Sequence, residues 1–360
     1  MPRTLRHFRT LFLVSLICSA VGLPTSNAQN IEVPDEPAEW GEVSVDVLEM
    51  DHYPADSNAT AVILSDYGET SFRPNGRLAF ERHRRVKILS EDAYDDWGTV
   101  EIPYYAADGT ERVDRIDGQT MVLGADGSVE TYELDSDDVF EEDIDGDYER
   151  ITFTLPNLQP GAVIEYSYRI RSYQPRFLRS WAFQATEPTL YSEYETSIPE
   201  VFEYVFLSQG EHPYAVEEDD RINFGHNLRA TKHRWVMTEV PALREEPFMT
   251  TLENYRSKIR FQLQAVNLPN RPRTPVMSSW PELAEDLLDH DNLGDQIGDH
   301  RSVREEARSI IDGIEDPMQQ MNAIYDAVAT SMSWNGMRRV YTGSDLDDVL
   351  ERRSGTSAEI

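Results

Sequence analysis

A single change of rhythm divides this chain. Before residue 280, apolar and polar residues alternate in short runs separated by turn-formers; from Trp280 onward, apolar residues recur every third or fourth position. A period of two belongs to half-buried strands, and a period near 3.6 to amphipathic helices. The chain is therefore expected to be mainly β at its front and helical at its back.

The alternating runs are short and numerous. Val43, Val45 and Val47 alternate with polar residues, and Leu78, Phe80, Arg82, Arg84, Val86 and Ile88 share one side of a longer run. Met121–Leu123 and Ser128–Leu134 flank Gly124-Ala-Asp-Gly127, which predicts a hairpin. Ile151, Phe153 and Leu155 alternate, and after the turn at Gln159-Pro-Gly161 so do Ile164, Tyr166, Tyr168 and Ile170. Further strands are expected at 192–197, 203–207, 230–237 and 258–266. Many short strands with turns between them suggest antiparallel β-sandwich modules, one over 41–175 and a second over 176–266. Residues 267–280 hold three prolines within a nine-residue stretch and read as a linker.

The helical part spans 281–360. Val303, Ala307, Ile310, Ile311 and Ile314 share one helix face. Asp316, Pro317 and Gln319 signal the start of another helix, whose apolar face carries Met321, Ile324, Tyr325, Val328 and Met332. Ser344 is expected to cap a short helix bearing Leu346, Val349 and Leu350. Such stripes are core rather than cofactor contacts. At the end, Gly355 reads as a helix stop, and Thr356 with Glu359 as a capping box opening a new helix. Ser357 then takes the first helical position, where unpaired N–H groups and the positive dipole end face outward. A capping box with no helix body behind it reads as the end of a fragment.

Composition narrows the function. Arg3, Arg6 and Arg9, the apolar run 11–23 and the small residues Ser26 and Ala28 form a secretory signal peptide over 1–28, so export to the periplasm or the exterior is expected. The run is short for a bilayer span, and no other segment is a transmembrane candidate. Residues 29–40, with Pro34 and Pro37, read as a disordered lead-in. Cys18, the one cysteine, leaves with the signal, so disulfides, thiolate metal sites and a thiol nucleophile are excluded from the mature residues. The formal charge is −33, and losing three arginines with the signal takes it to −36. That excess of negative charge argues against nucleic acid as a partner. It fits a solvated acidic surface; it also fits attraction of cations or a basic partner.

Among the acids, Asp143, Asp145 and Asp147 resemble a calcium loop, but the glycine comes two residues early and the twelfth position is Thr154. They are weak metal candidates, and no cofactor is expected. His290 and His300, ten residues apart, lack a tight ligand spacing. Trp235 and Tyr255 are expected to anchor a loop in which Arg244, Glu245 and Glu246 form ion pairs.

Several stretches together resemble a known arrangement. They are Arg85-Val-Lys-Ile-Leu89, Leu158-Gln-Pro-Gly-Ala-Val-Ile-Glu-Tyr166, Trp235 with Val240–Leu243, Asn254-Tyr255 with Phe261–Leu263, and Ser354–Glu359. In this order they look like bacterial exported proteins with an N-terminal domain of unknown function followed by a transglutaminase-like core. The resemblance implies a papain-like α/β (α+β) core whose helical start is 281–360. In that family a Cys at a helix start attacks an amide, a later His acts as base and an Asp orients it. Ser357 stands at the Cys position, within Gly355-Thr-Ser357. The family's His and Asp come after this point, and none of the eight histidines present takes that role. A hydroxyl needs a well-placed base, so the resemblance implies a non-catalytic binding or scaffold protein whose partner is an envelope protein or polysaccharide. The alternative is an active hydrolase or acyl transferase using Ser357 with a downstream His and Asp.

Overall fold

The computed structural model describes residues 34–73, 76–144, 147–175, 178–225, 228–276, 279–298 and 300–360. The expected signal peptide and the start of the lead-in fall outside them. In chain order the strands are β1 (Ala61–Phe72), β2 (Leu78–Ile88), β3 (Thr99–Tyr105), β4 (Glu111–Leu123), β5 (Val129–Glu133), β6 (Val139–Asp143), β7 (Tyr148–Thr154) and β8 (Val163–Ser172). They continue as β9 (Trp181–Ala182), β10 (Thr189–Pro199), β11 (Phe202–Gln209), β12 (Val216–Gly225), β13 (Leu228–Val240), β14 (Lys258–Val266), β15 (Thr274–Pro275), β16 (Ser333–Trp334) and β17 (Ser354–Gly355). The helices are α1 (Val45–Glu49), α2 (Tyr94–Trp97), α3 (Trp280–Leu288), α4 (Arg301–Ile310), α5 (Pro317–Ser331) and α6 (Leu346–Arg352).

The protein is mainly β, as the alternation implies. An eight-stranded sheet runs β12-β13-β10-β1-β2-β8-β4-β5. Its strands come from both sides of residue 176, so the boundary expected between two modules crosses one continuous sheet. The join is β1 against β10, the sheet's parallel pair, with Ile63 opposite Thr189 and Ser71 opposite Ser197. β1 shows why alternation hides this arrangement. Ala61-Val-Ile-Leu64 is apolar without interruption, and nearly every residue of the strand is buried. A central strand covered on both faces reads as a continuous run.

Two smaller sheets, β3-β7-β6 and β11-β14-β15 with β9 on β14, pack against one face of the large sheet. Ile63, Phe80, Ile164, Tyr194 and Trp235 from the large sheet share one core with Ile102 and Phe153 of the first small sheet, and with Trp181 and Ile259 of the second. The opposite face buries Val62, Leu64, Met121 and Val163 beneath Leu48 and Met50. That cover is helical, whereas the alternation of Val43, Val45 and Val47 predicts a strand. The Ser44 hydroxyl accepts the Val47 N–H at 3.4 Å and starts α1. Val43, Val47 and Leu48 still face the sheet.

The end of the lead-in is tied down. Ala38 N–H donates to Ser65 Oγ at 3.2 Å, Gly41 N–H donates to Glu165 at 2.8 Å, and Arg85 donates to the carbonyls of Glu39 and Glu42. Glu165 has no solvent exposure and is also met by His83 at 2.8 Å, Arg85 at 3.0 Å and Gln119 at 2.5 Å. Burial works to raise its carboxyl pKa; these donors outweigh burial and hold it below the ordinary value.

This network accounts for two of the stretches that carry the resemblance. Arg85 and Glu165 face each other in the β2–β8 register. Lys87, two residues on, donates to Gly161 O at 2.5 Å and Leu48 O at 2.7 Å. Arg85–Leu89 and Leu158–Tyr166 thus meet through the buried polar side chains of Arg85, Lys87 and Glu165.

Candidate functional site

The helical part builds a groove against the three-stranded sheet. α6 is capped by Asp345, whose carboxylate accepts the Asp347 N–H at 2.8 Å. The expected cap, Ser344, instead lies near Arg352, 3.2 Å from Nη2. Both side chains suit a cap, and the choice between neighbours rests on backbone geometry that composition does not show. Arg353, in the left-handed region at φ 55°, ends the helix. The chain then pairs Ser354–Gly355 in parallel with Ser333–Trp334. Glycine at 355 serves close approach: a Cβ there would meet Val349 Cγ1 at 3.0 Å and Glu359 Cβ at 3.1 Å.

Half of the expected capping box forms. Glu359 accepts the Thr356 N–H at 2.9 Å, but the buried Thr356 hydroxyl has no hydrogen-bond partner among the described residues. Residues 357–359 make a turn, closed by Ile360 N–H to Thr356 O at 3.2 Å. Glu359 also accepts the Gly343 N–H at 3.1 Å and lies 3.3 Å from Arg352. Burial would raise its carboxyl pKa; the two N–H groups and Arg352 outweigh that and lower it.

Ser357 sits at the start of this turn, at the surface. Its N–H donates to Met337 O at 3.1 Å. Its hydroxyl accepts the Arg339 N–H at 2.9 Å and donates to Arg339 O at 2.9 Å. Among the described residues no imidazole or carboxylate meets the hydroxyl. Its proton is directed to a peptide carbonyl, which cannot serve as a general base.

The segment that Ser357 holds forms one wall of a groove of about 670 Å³. Met337–Thr342 faces Tyr105, Ile144, Asp147 and Tyr148, with His290 and Asn292 at one side. Arg339 reaches across, 3.8 Å from Asp147 and 5.9 Å from the centre of the Tyr148 ring. The Tyr341 ring packs against His290, tilted by 31° with centroids 4.5 Å apart, and Thr342 N–H donates to Asn292 O at 2.8 Å. Ser357 is not among the groove's lining residues; it supports the wall from outside.

The expected metal candidates fall near this groove. Asp143 ends β6 opposite Glu149, Asp147 faces Arg339, and Asp145 lies outside the described residues. The donor set that the described residues do assemble is His300, Asp345 and Asp347, whose ligand atoms lie within 4.8 Å of one another. Ligands 2.0–2.1 Å from a tetrahedral ion are roughly 3.4 Å apart, so these side chains would have to close inward to hold one. Asp347 Oδ1 is buried without a hydrogen-bond partner. His300 is legible in the sequence, but its neighbours come from some 45 residues downstream, beyond the reach of any spacing rule.

Trp235 is 2% exposed, within β13, whereas Tyr255 is 47% exposed, so burial anchors the first and not the second. Arg244 pairs with Asp56 at 2.6 Å and lies 3.6 Å from Glu187. It ties the loop after β13 to the segment before β1.

Residues 74–244 match the family described as a domain of unknown function with a solved structure, DUF3857. No curated protein matches the chain. Among solved structures, a protein of Parabacteroides distasonis described as a candidate protease is similar at a TM-score of 0.58 and 15% identity, over 83% of this chain and 56% of that one. At that identity the likeness is one of fold, and this chain spans little more than half of that structure's length. A candidate nutrient-binding protein of Legionella pneumophila aligns over 77% of this chain and 82% of its own, at a TM-score of 0.27 and 7% identity. Among the described residues, no helix is long and apolar enough to cross a membrane.

Proposed function

We propose that this is an exported, transglutaminase-like protein that binds an envelope partner, protein or polysaccharide, and that Ser357 occupies the nucleophile position without acting as a nucleophile. In this reading 281–360 is the helical start of the papain-like core, joined to the β-rich part through 267–280. The observation that carries the proposal is the Ser357 hydroxyl, which accepts the Arg339 N–H on one of its two lone pairs and gives its proton to Arg339 O. A catalytic serine keeps its oxygen free for attack and its proton on a base. The groove in front of Met337–Thr342 is the binding surface. It is open, and it carries aromatic faces from Tyr105, Tyr148 and Tyr341 beside the charged groups Arg339 and Asp147. Aromatic rings beside charged hydrogen-bonding groups suit polymers with both apolar and polar faces.

The test is amide exchange and peptide hydrolysis by the full-length protein and its Ser357→Ala variant. The proposal expects no turnover above background from either. Turnover by the parent that Ser357→Ala abolishes would replace this reading with that of an active acyl transferase or hydrolase.

A further inference from the structure

Five of the 33 basic residues of this acidic chain converge in one place. At the end of the large sheet where β2, β8 and β4 run side by side, Arg73, Arg77, Arg112, Arg169 and Arg171 line a pocket of about 380 Å³, with Tyr173 at its rim. Strand register places them there. Arg171 lies between Ala79 on β2 and Arg112 on β4, and the next row on the same face holds Glu81, Arg169 and Asp114. Ala79 carries only a methyl group, which leaves the pocket floor open.

Charge in the pocket is unbalanced. Asp114 meets Arg169 at 2.7 Å and also Arg171, and Glu81 stands 3.8 Å from Arg169. Among the described residues neither Arg73 nor Arg112 pairs with a carboxylate, in a chain that carries 66 acids. Arg112 and Arg171 are directly opposed across the strands, an arrangement that like charges make unfavourable. Arg77 lies with its guanidinium 4.1 Å from the centre of the half-exposed Tyr173 ring. The repulsion between Arg112 and Arg171 is relieved if an anion sits between them.

We propose that this pocket binds a phosphoryl group, or a sulfate of the same tetrahedral dianionic form. Guanidinium forks bind such groups in bidentate fashion, and a dianion with at least three acceptor oxygens can satisfy several converging forks where a carboxylate offers two oxygens. The pocket is larger than a bare phosphate needs, and its size falls in the range of small-ligand sites. The Tyr173 ring beside it offers a face for a sugar attached to the phosphate. The site lies on β2, β4 and β8 and does not involve Ser357.

The experiment is calorimetric titration of the full-length protein with inorganic phosphate, sulfate, glucose 6-phosphate, glucose and acetate, at constant ionic strength set with sodium chloride. Phosphate, sulfate and glucose 6-phosphate are expected to bind with saturation, and glucose and acetate are not. Arg112→Gln should weaken phosphate by about tenfold or more, since it removes a charge-assisted fork that has no other partner. The same variant should melt no lower than the parent without ligand, because it also removes the repulsion; this guards against loss of fold as the cause. Arg73→Gln should weaken phosphate as well. Phosphate behaving like chloride at matched ionic strength would overturn the proposal, as would glucose binding as well as its phosphate, or Arg112→Gln binding phosphate like the parent.

Discussion

Lys87→Met removes one of three lysines from a site with no solvent exposure. Its ammonium donates to Leu48 O and Gly161 O, so the variant strips a donor from two carbonyls, at about 1–3 kcal/mol each. It also removes a buried charge. Burial pushes the Lys87 pKa down to about 8 from its ordinary 10.5, against the opposing pull of Asp51. That depression costs the folded protein about 3 kcal/mol at pH 7, so loss of the hydrogen bonds and relief of the charge nearly cancel. The pH dependence does not cancel. Between the folded and unfolded values the unfolded chain holds the proton more tightly, so the penalty is full below about pH 8 and fades as pH rises toward 10.5. From pH 7 to pH 10 the parent should gain about 2–3 kcal/mol relative to Lys87→Met. Urea unfolding of both proteins across that range measures the difference, and the titration of tyrosines common to both drops out. A stability difference that stays constant with pH would refute the reasoning.

Other expectations follow from the same contacts. Ser357→Ala should lose about 1–2 kcal/mol from its two hydrogen bonds, read as faster amide exchange at Arg339; unchanged protection there would contradict the structural role. Asp66 is buried between Arg82, at 2.7 Å, and Arg84; burial favours its neutral form, and the two guanidinium groups outweigh that and hold its pKa at about 2. Asp66→Asn should therefore cost about 2–4 kcal/mol at pH 7, seen as a lower urea midpoint, because two partly buried guanidinium groups lose the charge of their buried partner. The parent should keep the Asp66 contribution above its ordinary carboxyl value and lose it as pH falls toward 2. Gly68→Ala places a methyl group 2.3 Å from the buried Trp181 indole and should cost about 1–3 kcal/mol or more in thermal melts.

Local signals in the sequence carried far, and long-range ones did not. The Gly124–Gly127 hairpin, the strands around Ile151 and Ile164, and the helices beginning near Val303 and Pro317 all follow from periodicity and turn chemistry within a few residues. The pairing of β1 with β10 joins segments more than a hundred residues apart, and β1 hides its alternation because both its faces are covered. In α1, a serine cap and sheet contacts override a run of valines. At the candidate site, Ser357 and the half-formed turn from Thr356 to Glu359 were visible. Not visible were the partner of the hydroxyl, a backbone segment 18 residues upstream, and the groove wall it supports. The arginine pocket was equally hidden, since its residues come from three strands and a turn, and only register aligns them.

The central claim is that Ser357 is a structural residue in a nucleophile's place. Labelling the full-length protein with a fluorophosphonate probe, then mapping adducts by mass spectrometry with Ser357→Ala as control, tests it most directly. The account predicts no adduct at Ser357, because no base draws its proton. An adduct at Ser357 in the folded protein, absent from Ser357→Ala and lost on denaturation, would contradict it.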